Sequence, residues 1–194
     1  MSSFIQKQKR LETLYKNIHQ DIIDGCREGN PKAQFQLYKL YYKTMYSVSM
    51  RIINDEMEAE DVMQEAFLNA FKKMDTYKGE VSFGAWLKRI VVNRSLDYLK
   101  KKKVKFEEVN EKTAQIPDYP MEKKEVDVDV VKNAIQDLPD GYRVVLSLYL
   151  IEGYDHEEIS QILGISNSSS RTQLLRAKNK LKEKLKDKEI FSYN

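Results

Sequence analysis

Between Ala59 and Met74 the apolar residues Met63, Ala66, Phe67, Ala70, Phe71 and Met74 return every three or four positions. That spacing lays one stripe along one side of an α-helix and does not fit the period of two that a half-buried strand requires. The same pattern recurs over most of the chain. Ala33, Leu37, Leu40, Tyr41 and Met45 form a second stripe, introduced by the turn Gly29-Asn30-Pro31, with Pro31 suited to a first helical position. Asn54-Asp55 interrupts it. Phe83 to Leu99 makes another helix, with Phe83, Trp86, Leu87, Ile90 and Val91 apolar, and ends in the run Lys100-Lys101-Lys102-Lys103. Further on, Val130, Val131, Ala134, Ile135 and Leu138 form a helix closed by Pro139-Asp140-Gly141, and Tyr142 to Ile151 forms the next. Only seven glycines and four prolines occur in 194 residues, too few for a turn-rich β fold. The expected fold class is all-α.

Residues 104–129 break this grammar. They hold Glu107, Glu108, Glu111, Asp118, Glu122, Glu125, Asp127 and Asp129 against four lysines, include Pro117 and Pro120, and show no helical period over most of their length. They read as an acidic linker. The predicted organisation is an N-terminal extension (1–17), a helical domain (18–103), the linker (104–129), a second helical domain (130–188) and a tail (189–194). The net charge is only +3, so where the charges lie matters more than their sum.

The second domain contains the grammar of a helix-turn-helix. Asp155 and Glu158 stand at capping-box spacing before Ile159, Ile162 and Leu163. Gly164 suits a left-handed corner, Ile165 plugs it, and Ser166 or Asn167 caps the helix that follows. Leu174, Leu175, Ala177, Leu181 and Leu185 fall largely at helical spacing among arginines and lysines. The serine run Ser168-Ser169-Ser170 is therefore the first turn of a candidate recognition helix, where small hydroxyls let a helix approach DNA closely. Arg171 and Arg176 lie about 140° apart around such a helix, so they cannot both address one base. A Val or Ile commonly packs near the start of the second helix of this motif. Ser170 stands there, which leaves the packing to Leu174 and other neighbours.

Two stretches carry a resemblance. AEDVMQEAF (residues 59–67), followed by F-x-x-W-L-x-x-I-x-x-N (residues 83–93) and DYLKK (residues 97–101), resembles domain two of the sigma-70 family of bacterial RNA polymerase initiation factors. The helix-turn-helix with RTQLLRAK (residues 171–178) resembles domain four of the same family. The pairing is most similar to the extracytoplasmic-function (ECF) group, which carries these two domains alone. The resemblance implies a sigma factor that binds core RNA polymerase and directs promoter recognition, DNA opening and initiation. It also allows an anti-sigma factor as a partner.

Residue roles follow from the resemblance. Asp61, Gln64 and Glu65 share the polar side of one helix and would dock on the polymerase. Tyr77 and Lys78, in the polar loop 75–82, would take an unpaired base and its phosphate; the alternative is that Tyr77 packs on the helix beneath it. Asn93 would read the −10 element, with Trp86 (equally readable as core), Arg89, Arg94, Lys100 and Lys101 beside it. Ser168, Ser169, Arg171, Thr172, Leu175, Arg176, Lys178 and Lys180 would meet the −35 element. A linker of about 25 residues reaches at most about 85 Å, enough to span separate promoter elements.

The competing reading is a helix-turn-helix regulator of duplex DNA that is not a polymerase subunit. It accounts for the C-terminal half but not for the block from Trp86 to Asn93. An enzyme is disfavoured, since the two histidines, His19 and His156, are far apart and no nucleophile or phosphate-loop motif occurs. One cysteine, Cys26, provides neither a disulfide nor a thiolate metal cluster, so no cofactor or metal is expected. The start of the chain lacks the apolar run of a signal peptide, and no stretch is apolar enough to span a bilayer. A cytoplasmic protein without membrane insertion is expected.

Overall fold

The computed structural model describes residues 19–102 and 127–187, and every regular element among them is helical. The expected N-terminal extension, nearly all of the linker and the expected tail lie outside the described residues. The helices are α1 (Gln20–Arg27), α2 (Pro31–Ile53), α3 (Glu56–Lys72), α4 (Phe83–Lys101), α5 (Val128–Gln136), α6 (Asp140–Leu146), α7 (His156–Leu163) and α8 (Asn167–Asp187). A 3-10 turn, Met74–Thr76, follows α3, and a π-turn, Ser147–Ile151, follows α6. The described residues divide into two compact units, one of residues 19–50 and 55–95, the other of residues 51–54, 96–102 and 127–187.

In the first unit the turns sit where the sequence puts them. Asn30 accepts from the backbone N–H groups of Lys32 and Ala33, which caps α2 behind Pro31. Asp55 caps α3 by accepting from Glu58 N–H. The stripe of α3 is buried at Met63, Ala66, Phe67 and Ala70, and Met74 just beyond it is buried too. Ala33, Leu37 and Met45 of α2 are buried, whereas Leu40, expected on the same stripe, is exposed. Two contacts were not legible in the sequence. Ser49 of α2 and Ser95 of α4 share a buried hydrogen bond of 3.2 Å, where small side chains let two helices approach. Gly25 of α1 lies so close to α2 that a Cβ there would stand 2.8 Å from that of Ala33.

In the second unit α5 begins at Val128, two residues earlier than expected, because the Asp127 carboxylate caps it. Asp140 and Gly141 belong to the first turn of α6 rather than to the close of α5. The helix expected over Tyr142–Ile151 loosens into the π-turn from Ser147. Arg143, buried in α6, donates to Leu138 O and pairs with Asp140, which ties down the corner between α5 and α6. Helices α5, α6 and α7 all pack on α8.

Candidate nucleic-acid interface

The polar loop after α3 is held from within. Tyr77 is buried, its hydroxyl donates to Val81 O at 2.8 Å, and its ring meets the edge of Phe83 and the tilted face of Trp86, both at 5.4 Å. Arg27 of α1 donates to Tyr77 O at 2.9 Å. The expectation of an exposed Tyr77 is therefore corrected. Its phenol reaches a backbone carbonyl only with the ring folded inward, which makes it the floor of an aromatic cluster. Lys78 beside it is exposed, with its ammonium 3.0 Å from Asp75 O.

Helix α4 grows out of that cluster. At about 100° per residue, Trp86, Arg89, Asn93 and Lys100 fall within about 60° of arc. Arg89, Asn93 and Lys100 are exposed and Trp86 is half-buried, so an aromatic edge, an amide and two cations share one outward face. Lys101 closes the helix, also exposed. Arg94 is one residue, and so about 100°, further round. There it forms an ion pair with Glu65 of α3. The sequence grouped Arg94 with the −10 residues and Glu65 with the docking residues; the structure joins the two.

On α3, Asp61, Gln64 and Glu65 are all exposed. The sequence reading missed what brackets them. Met57 is 80% exposed and Leu68 61% exposed, and both fall in the same arc as the polar trio. Exposed apolar side chains beside charged ones give a surface that can both bury area and pair charges against a partner. The spacing 57, 61, 64, 68 is itself a helical stripe, and counting it would have revealed the pair.

Helices α7 and α8 and the corner between them form where the sequence puts them. Asp155 accepts from Glu158 N–H, and the Glu158 carboxylate accepts in return from Asp155 N–H. Gly164 adopts φ 70° and ψ 38°, the left-handed corner that disfavours any side chain. Ile165 is buried in the corner, and the Ser166 hydroxyl accepts from Ser169 N–H to cap α8. Ser169, Ser170, Gln173, Leu174 and Ala177 are the buried side of α8. Ser169 was expected on the DNA side. Standing about 100° from Ser168, it instead turns inward and hydrogen-bonds Ser166 at 2.8 Å.

The outward side of α8 has a definite layout. Ser168, Thr172, Leu175 and Asn179 lie along its centre, partly exposed. Arg171 and Lys178 flank it on one side, Arg176 and Lys180 on the other. Arg171 Nε donates to Asn167 at 2.8 Å, which orients its guanidinium, and Lys180 pairs with Glu183 at 3.0 Å. Uncharged side chains between two rows of cations suit a major groove, with base edges and thymine methyls at the centre and phosphates on both walls. Asn179 was missed; it completes the i, i+4, i+7, i+11 row that begins at Ser168.

Two family models match the chain. The model for Sigma-70 region 2 matches residues 37–104, and that for Sigma-70, region 4 matches residues 129–181. The ECF RNA polymerase sigma factor SigW of Bacillus subtilis is 28% identical over 178 residues, covering 85% of this chain and 95% of the relative. The ECF RNA polymerase sigma-E factor of Escherichia coli K12 is 26% identical over 180 residues, covering 86% and 93%. Among solved structures, the Bartonella quintana sigma factor RpoE, in complex with the anti-sigma factor NepR, matches with a TM-score of 0.54 at 21% identity, covering 78% of this chain and 95% of that one. CnrH, in complex with the cytosolic domain of CnrY, matches at 0.51 and 22%, covering 86% and 96%. The two structures share the fold. The chain belongs to the sigma-70 family, within its ECF group. It is a sigma factor that directs transcription initiation, a DNA-recognition role, and among the described residues no helix is long and apolar enough to cross a membrane.

Proposed function

We propose that the two outward helix faces divide promoter recognition between them. The face of α4 made by Trp86, Arg89 and Asn93, with Lys78, Lys100 and Lys101 at its margins, takes the −10 element. The face of α8 takes the −35 element, with Ser168, Thr172 and Leu175 toward base edges and Arg171, Lys178, Arg176 and Lys180 toward phosphates. Tyr77 supports the α4 face from beneath. Asp61, Gln64 and Glu65, with Met57 and Leu68, dock on core RNA polymerase. The protein works in the cytoplasm without enzymatic activity of its own, and an anti-sigma factor restrains it by covering one of these faces; the Bartonella quintana sigma factor RpoE is seen in complex with such a factor.

The observation that carries the reading is the order on the first three turns of α8: uncharged at the centre, where Ser168, Thr172 and Asn179 stand with Leu175, and cationic on both flanks. A solvated surface helix has no reason to sort its cations into two rows about an uncharged centre. The test is run-off transcription with core polymerase on a randomised promoter library. The full chain should select start sites that share two upstream elements. Binding of the chain alone to a palindromic duplex, with no effect on polymerase, would contradict it.

A further inference from the structure

Ser170 occupies the place where an apolar residue commonly seats the second helix of the motif. It is fully buried, so its hydroxyl needs a partner inside the protein. That partner is His156, the first residue of α7, whose Nδ1 lies 2.9 Å from Ser170 Oγ. The imidazole is itself held, stacked on Tyr149 with ring centres 4.5 Å apart and planes 26° apart. Lys178 of α8 reaches the same Tyr149 ring, at 6.0 Å from its centre. Both helices of the motif thus meet at one tyrosine, and α8 is pinned by a hydrogen bond where packing alone would otherwise serve.

Ser170 is the residue before Arg171, and Thr172 follows. A shift at Ser170 therefore moves the first turn of the proposed recognition face and one of its cations. We infer that His156 is a positioning residue for the −35 contact: through Ser170 it fixes the seating of α8, and it makes that seating sensitive to pH. The inference rests on the −35 reading of α8.

The charges around His156 set the sign. Asp155, at the cap of its own helix, favours the imidazolium. Arg171 and Lys178, from α8, oppose it, and burial opposes it most, so the imidazole is held below its ordinary value of 6.5. The neutral ring is the form that belongs to the folded motif. The unfolded chain takes up its proton first as pH falls, so the stability tied to His156 is whole above about 6.5 and is lost as pH drops through the lower folded value.

The test uses the full chain with core polymerase and a promoter selected by that holoenzyme. Transcription is read from two templates that differ only in the −35 element, and the ratio removes the polymerase's own response to pH. For the natural protein the ratio should hold from about pH 8 to about pH 6.5 and fall as pH is lowered further, to about pH 5. His156→Ala should lower it at least about fivefold at the higher pH, the effect of one stranded buried hydroxyl. His156→Gln, whose amide can serve Ser170 without titrating, should keep a high ratio at both pH values. The pair His156→Leu with Ser170→Val, an apolar contact in place of the polar one, should do the same. An unchanged ratio for His156→Ala at the higher pH would overturn the inference. So would an acid loss in the Gln and Leu/Val variants equal to that of the natural protein, a comparison that stands even if the Ala variant fails to fold. A ratio of one for the natural protein at both pH values would instead remove the −35 reading, and the inference with it.

Discussion

The two proposed DNA-facing helices are braced in different ways. Helix α4 rises from an aromatic cluster in which Tyr77, Phe83 and Trp86 stand in mutual contact. Helix α8 is seated by small polar groups: the Ser166 cap, the Ser166–Ser169 bond and the Ser170–His156 bond. An aromatic brace gains from buried area and ring contacts, is indifferent to pH, and fails only when a ring is lost. A polar brace contributes less per group but fixes direction, because each hydroxyl has few acceptable partners. Damage to the first should therefore be felt chiefly as stability, and damage to the second chiefly as geometry.

The largest expected effect is at Tyr77. Truncating a buried aromatic ring to Ala costs about 3–5 kcal/mol. Tyr77→Ala should lower the melting temperature, and it should reduce transcription equally from closed promoter DNA and from a template with a pre-opened −10 bubble. A defect confined to closed DNA, with no change in melting, would return Tyr77 to a base-stacking role. Next is the Ser166 cap. Ser166→Ala should cost about 1 kcal/mol, as cap removals do. Its mark should be a weakened response to the −35 element out of proportion to the small change in melting. If Ser166→Ala and a stability-matched core variant lowered −35 dependence equally, the contrast between the two braces would be lost.

The smallest effect is expected at Arg94. Its pair with Glu65 is largely exposed, and such pairs contribute about 0–1 kcal/mol. Arg94→Ala should leave the melting temperature almost unchanged and the preferred −10 sequence intact, since Arg94 is turned off the Asn93 face. A changed −10 sequence preference would show that the pair opens to release Arg94 onto DNA.

The fold was legible because the signals behind it are local. Helical stripes, the Asn30 and Asp55 caps, the Asp155 capping box and the Gly164 corner each depend on residues within a turn of one another, so the sequence exposes them directly. What it hid depends on contacts between segments distant in the chain. Tyr77 lies in a polar loop and reads as exposed until Phe83 and Trp86 are seen to enclose it. Ser169 reads as one more DNA-facing serine until the phase of α8 is fixed by its capping residue. The partner of Ser170 is fourteen residues away on another helix, and the ion pair between Glu65 and Arg94 spans twenty-nine. Met57, Leu68 and Asn179 are a different case, since helical counting alone would have placed them.

The account's central claim is that α4 and α8 read two promoter elements independently. The direct measurement is the sequence preference of promoters selected from a randomised library by holoenzymes carrying the natural chain, Asn93→Ala or Thr172→Ala. Both side chains are at the centre of an outward face, Asn93 exposed and Thr172 partly so. Asn93→Ala should change preferred bases in the −10 element and leave the −35 element as it was, and Thr172→Ala should do the reverse. A variant that altered both elements together, or left both unchanged, would contradict the claim.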